Sequence, residues 1–141
     1  MVDIIIDAQD CVLGRVATLA AKKALLGENV IVVNADKAFI SGSRLGIIAK
    51  YMDKFETGQI RKGPFLYKNP DRFVKRVIRG MLPHKQPRGR EALKRVRCYA
   101  GVPESYASQK TVSAKGAEVS KLPTLRRISV GELCKSIGGK A

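Results

Sequence analysis

Asp3-Ile4-Ile5-Ile6-Asp7 and Val30-Ile31-Val32-Val33-Asn34 bracket a stretch of different rhythm, and that contrast decides the fold. Each is a continuous apolar run rather than an alternation, the pattern of strands covered on both faces in a parallel sheet. Between them Leu13, Val16, Ala17, Ala20 and Ala24 recur at helical spacing. Lys22 and Lys23 fall in the last turn, where cations meet the negative end of the helix dipole. Gly27 is placed to stop the helix. Strand, helix and strand in this order make a βαβ unit, whose crossover is right-handed.

Working outward, a second helix is predicted from Ser41 or Ser43, either of which can cap it. Leu45, Ile48, Met52 and Phe55 mark its buried face, and Gly58 its end. An irregular basic stretch from Arg61 to Lys68 includes Lys62 and Gly63-Pro64. A third helix is signposted by a capping Asn69, a first-turn Pro70, and Asp71 at the positive end of the dipole. Pro83 closes it. A basic loop from His84 to Gly89 leads to a short fourth helix over about 90–96, then a strand at Arg97-Cys98-Tyr99-Ala100. Residues 104–127 are polar and aperiodic and read as an extended surface segment. Ser129 and Glu132 form a capping box for a last helix, with Val130, Leu133, Cys134 and Ile137 on one face. The chain reads as one domain over 1–141, with a core over about 1–106 and a C-terminal extension over about 107–141.

Composition narrows the function. A 45% hydrophobic content in 141 residues supports a folded core and excludes a disordered basic tail. No apolar run approaches the ~18 residues of a membrane helix. Met1-Val2-Asp3-Ile4 lacks the charged start of a signal peptide, so a cytoplasmic location is expected. Cys11, Cys98 and Cys134 are odd in number and contain no C-x-x-C pair. Free buried thiols are expected rather than a disulfide or zinc site, and no metal or other cofactor.

The net charge of +15 is unevenly placed. Residues 1–60 hold 7 basic and 7 acidic side chains, whereas residues 61–97 hold 13 basic and 2 acidic. Such an excess repels itself unless a polyanion neutralises it. Its sharpest feature lies on the third helix. Arg72, Lys75, Arg76 and Arg79 stand at i, i+3, i+4 and i+7, one stripe of four cations. Phe73, Val77, Ile78 and Met81 take the face toward the core. The stripe gains nothing in a free protein, because like charges at these spacings repel. A solvated basic face would explain it in a neutral protein; inside this basic segment a nucleic acid explains it better. His84, Lys85, Arg88, Gly89 and Arg90 extend the basic surface, with glycine letting backbone N–H groups approach phosphate. Lys94, Arg95 and Arg97 extend it further. Phe65, Tyr67 and Tyr99 lie nearby; a tyrosine can stack on an unpaired base, but buried aromatics are the commoner case.

Two other classes compete. Asp7, Asn34 and Asp36 lie near the carboxyl ends of the first strands, where open α/β sheets bind ligands, and Gly14-Arg15 opens a helix. A nucleotide-binding protein or metal-dependent nuclease would use them. Neither G-x-G-x-x-G nor G-x-x-x-x-G-K-[ST] is present, however, and the one histidine, His84, sits in a Pro- and Lys-rich loop. A DNA-binding protein lacks support from helix-turn-helix or zinc-finger spacing. Cations spread over loops as well as a helix suit irregular RNA better than a major groove.

Several blocks in order resemble one family. They are Asp7-Ala8 with Val12-Leu13-Gly14-Arg15-Val16-Ala17, Val32-Val33-Asn34-Ala35-Asp36 with Ile40-Ser41-Gly42, Arg79-Gly80-Met81-Leu82-Pro83, and Tyr99-Ala100-Gly101-Val102-Pro103. Over about residues 3–106 the chain resembles the universal large-subunit ribosomal protein L-thirteen family. The Gly101-Val102-Pro103 block and the C-terminal extension are similar to archaeal and eukaryotic members; the longer N-terminal arm usual in bacterial members is missing. The resemblance implies a three-layer α/β/α sandwich around a mostly parallel four-stranded sheet. It implies binding to large-subunit ribosomal RNA early in assembly, beside neighbouring ribosomal proteins and without catalysis, membrane or small-molecule substrate. It implies that Arg79, Gly80, Met81 and Pro83, with the adjoining basic loop, face RNA. Arg15 becomes an RNA contact, with Arg61, Lys62 and Lys68 in the same expected surface. Asp7 and Asp36 become structural turn or cap residues. The C-terminal helix is expected to pack on its own domain.

Overall fold

The computed structural model describes residues 3–139. Met1 and Val2, used in reading the N-terminus, lie outside the described residues. The chain opens with β1 (Asp3–Asp7), α1 (Leu13–Leu25) and β2 (Asn29–Val33). β1 and β2 pair in parallel from Asp3 opposite Asn29 to Asp7 opposite Val33. α1 buries Leu13, Val16, Ala17, Ala20, Ala21 and Ala24. Gly27 follows it at φ +96°, a left-handed conformation in which a Cβ would be strained. β3 (Phe39–Ser41) and α2 (Arg44–Glu56) come next, then α3 (Pro70–Gly80), α4 (Pro87–Lys94), β4 (Val96–Cys98) and the single turn α5 (Glu104–Ala107). β5 (Thr111–Val112), β6 (Arg127–Ser129) and α6 (Val130–Ser136) complete the order.

The four-stranded sheet runs β4-β2-β1-β5, and all three pairings are parallel. A separate antiparallel ribbon joins β3 to β6. One sheet face carries the main core: Ile6, Val30, Val32 and Val96 pack with Ala17, Ala20, Val74, Ile78, Ala92 and Leu133 from the helices. The other face is thinner. There Ile5, Ile31 and Val33 are covered by Tyr99 and by Tyr106 of α5, whose rings lie 5.9 Å apart. The α/β sandwich on a parallel sheet is thus as expected.

Several local expectations are corrected. α2 is capped by Ser43, whose hydroxyl accepts from the Gly46 amide, while Ser41 belongs to β3. Its inner stripe is Ile47, Ile48, Tyr51 and Phe55; Leu45 is 79% exposed and Met52 lies at the rim. Rotating the stripe by about one residue turns those two outward. α3 ends at Gly80, three residues before Pro83, and Met81 at its C-terminal cap is 43% exposed instead of facing the core. Val74 takes the buried place instead. α4 starts at Pro87, so half of the expected basic loop is helix; proline suits that first-turn position. β4 comes one residue early and stops at Cys98. The segment 104–127 is not merely extended: it supplies α5, the edge strand β5, and the buried Ala114, Ala117 and Val119. β5 has two residues, too short to leave a periodic signal.

α6 packs on its own domain as expected. Ser129 accepts from the Glu132 amide at 3.2 Å, and Val130, Leu133, Cys134 and Ile137 join the main core. The Glu132 carboxylate meets Arg44 at the start of α2, tying the two helices together.

Candidate nucleic-acid interface

α3 positions the stripe through its opposite face. Phe73, Val74 and Ile78 are buried against α1 and α6, and their spacing forces Arg72, Lys75, Arg76 and Arg79 outward together. These four cations line one groove of about 240 Å³, with Tyr67 on one side and Leu93 of α4 on the other. Among the described residues none of the four is paired with a carboxylate. The ion pairs are Lys23–Glu28, Arg44–Glu132, Arg95–Glu91 and Lys121–Glu118. Asp71, in the first turn of α3, makes no ion pair with the stripe among the described residues, and it acts with burial on two thiols. Burial pushes Cys98 up to about 12, with Lys75 lowering it in part and Asp71 raising it. Burial, then Asp71, pushes Cys134 up to about 11. Both stay protonated near neutrality, so neither is a nucleophile there.

The remaining predicted residues divide by place. Arg61 and Lys62 are exposed on the turn after α2. Lys68 is exposed, with its Nζ 5.2 Å over the Phe55 ring. Gly80 is exposed at the end of α3 with open space around it. Met81 is held at α1 by the Thr18 hydroxyl, which donates to its sulfur at 3.5 Å. The Pro83 carbonyl accepts from the Gln86 amide at 2.9 Å, and His84 is half-buried beside it. Lys85, Arg88 and Arg90 are exposed on this turn and on α4, where Arg88 donates to the Gln86 side chain at 3.0 Å.

Four predicted residues, Arg15, Gly89, Lys94 and Arg95, lie away from the groove. Arg15 donates to the carbonyl of Gly116, so its guanidinium holds the C-terminal segment onto α1. Arg95 donates to the Ala24 carbonyl at 3.1 Å and clasps α4 to the end of α1. Lys94 and Arg95 line a different depression, with Arg97, Asp3 and Asn29. Gly89 is not an open backbone for phosphate to approach. It is buried in the first turn of α4, and a Cβ there would run into the Pro83 carbonyl and lie 2.9 Å from the His84 amide.

That contrast yields a paired test. Gly89→Ala is expected to destabilise the protein by about 1–3 kcal/mol, because the obstructing atoms are backbone that has no rotamer to yield. Gly80→Ala, in open space in a helix, is expected to be neutral or stabilising by up to about 1 kcal/mol. Urea midpoints measure both; equal stability of the two variants would refute the tight approach at Gly89.

Of the strand-end carboxylates, Asp7 holds a turn as expected, whereas Asp36 makes no such bond among the described residues and has Oδ1 buried without a hydrogen-bond partner. Asp7 Oδ1 accepts from the Gln9 amide and from Asn34 Nδ2, both at 2.9 Å, and Asn34 is held at φ +55°. Asp36 lies in the short 3-10 helix Ala35–Lys37. The crevice beside Asp7 also holds Asp10, Cys11 and Glu118. Burial raises the Cys11 thiol, and those three carboxylates raise it further. Three carboxylates against one arginine, Arg127, leave the lining net acidic, which disfavours the phosphates of a nucleotide. Among the described residues no cluster of His, Cys, Asp and Glu is placed to hold a metal ion. No helix there is long and apolar enough to cross a membrane.

Leu93 is not among the expected site residues, and Tyr67 is expected only as a nearby aromatic, yet both line the groove. The available signal was Phe65-Leu66-Tyr67 inside the basic stretch, since alternate residues of an extended segment share a side.

The fold and groove define a class: a parallel α/β sandwich that displays an unneutralised cationic helix face. Within that class the assignment follows from comparison with known proteins. The family model for ribosomal protein L13 matches residues 2–105. Proteins named large ribosomal subunit protein uL13 are similar over nearly the whole chain. That of Methanosarcina barkeri is 42% identical, covering 96% of this chain and 98% of the relative. That of Natronomonas pharaonis is 43% identical over 96% and 91%, and that of Methanopyrus kandleri 41% over 95% and 86%. The chain belongs to the ribosomal protein L13 family.

Proposed function

We propose that this protein is a structural constituent of the large ribosomal subunit that binds its ribosomal RNA and aids early assembly, without catalysis. The observation that carries the reading is the groove in which four adjacent cations of α3 lack carboxylate partners among the described residues. Four like charges on one helix face are mutually destabilising in the free protein and are relieved by a phosphate backbone. Arg61, Lys62, Lys68, Lys85, Arg88 and Arg90 widen the surface around them. The cations hold separate RNA segments in one geometry, and neighbouring ribosomal proteins complete the surroundings. Arg15, Arg95 and Gly89 serve this surface indirectly, by fixing the elements that carry it.

Sedimentation of cell extract through a sucrose gradient tests the reading. The protein is expected to travel with large subunits through a moderate salt wash and to leave them as salt rises. Recovery in the soluble fraction at low salt would overturn it.

A further inference from the structure

Next to the cationic groove lies a second cavity of different character. Tyr51, Phe55, Phe65, Tyr67 and Phe73 line it, five of the chain's eight aromatic residues gathered in one place. The cavity measures about 170 Å³; a cavity of ~150 Å³ holds a benzene ring. Three of its aromatics are already occupied: Tyr51 packs on Phe73 with centroids 5.3 Å apart, Lys54 stands over Tyr51, and Lys68 stands over Phe55. Phe65 and Tyr67 differ. They are 74% and 45% exposed, and among the described residues neither ring is paired with another ring or a cation. Both sit on the segment between Gly63 and Lys68, two residues apart and therefore on one side of an extended chain.

Tyr67 and Arg76 line both cavities. The aromatic cavity therefore adjoins the cationic groove. We propose that the aromatic cavity receives one unpaired RNA base, stacked on Phe65 and Tyr67, while the phosphates of the same nucleotide and its neighbour lie along Arg76 and the α3 stripe. An apolar protein segment would fill the first cavity but leave the cations of the second unneutralised. A nucleotide carries a flat ring and an anion within one unit and satisfies both. The proposal rests on the RNA-binding reading above and adds to it a site for single-stranded RNA.

The chain has no tryptophan, so Phe65→Trp in the full-length protein provides one indole reporter. Its fluorescence is expected to be quenched by a short single-stranded oligoribonucleotide but not by an abasic oligomer with the same phosphates. In the otherwise wild-type chain, Phe65→Ala, at a residue that lines the aromatic cavity and not the cationic groove, is expected to weaken binding of the base-containing oligomer by about 5- to 150-fold for one stacked base. Binding of the abasic oligomer should stay unchanged. The Phe65 side chain is exposed, and an unchanged melting temperature confirms that the fold survives. Equal affinity of wild type for the two oligomers overturns the base site while leaving the phosphate reading intact, and returns the cavity to a protein segment. Failure of both oligomers to bind at low salt overturns the RNA reading itself.

Discussion

Replacing Arg72, Lys75, Arg76 and Arg79 together with glutamine is expected to flatten the salt dependence of RNA binding while leaving the fold intact. Each phosphate contact contributes about one to the slope of log affinity against log salt, somewhat less on single strands, so four lost contacts lower it by about 3–4. If six to ten cations engage in the wild type, its affinity falls about 10³–10⁵-fold between roughly 50 and 200 mM salt; the variant should lose only about 10- to 10³-fold over the same range. The weakening should be similar on any RNA sequence, because phosphate contacts position the protein and do not read bases. The melting temperature should hold or rise slightly, since the substitutions remove repulsion worth a few tenths of a kcal/mol per pair. Filter binding across a salt series decides the matter, and an unchanged slope would show that the stripe does not touch phosphate.

That surface was legible in sequence because a helix has one period. Once Phe73 and Ile78 are assigned inward, the cations between and beside them have a single direction available. The strands β1 and β2 were legible for a similar reason: a continuous apolar run has few homes outside a doubly covered sheet. What escaped depends on contacts between distant parts of the chain. Arg15 meets a carbonyl 101 residues away and Arg95 one 71 residues away, and no local pattern separates such a clasp from a free surface cation. Gly89 misled for a related reason. In sequence it reads as a loop glycine open to phosphate, whereas the approach of Pro83 requires glycine inside a helix. β3, β5 and β6 are too short for period-two alternation to register, and their positions are fixed by the partners they find.

The same dependence on distant partners governs the C-terminal segment, where the largest loss of stability is expected. Leu133 is fully buried among residues of α3 and the rest of the main core, although it lies beyond the stretch matched by the family model. Leu133→Ala should destabilise the protein by about 2–5 kcal/mol, the sum of lost transfer energy and the cavity left behind. For a chain of this size that lowers the melting temperature by roughly 5–15 °C. Leu125, 90% exposed on the connection before β6, is the matched control: Leu125→Ala should fall within about 0.5 kcal/mol of wild type. The form of the transition matters as much as its midpoint. Because α6 shares its core with α3, whose outer face carries the stripe, unfolding of the Leu133→Ala variant should remain a single cooperative step. RNA affinity should fall only where the folded fraction falls. A separate early transition, with the main one left at the wild-type temperature, would make residues 107–139 an appendage. The stripe would then be held in place by α1 and the sheet alone.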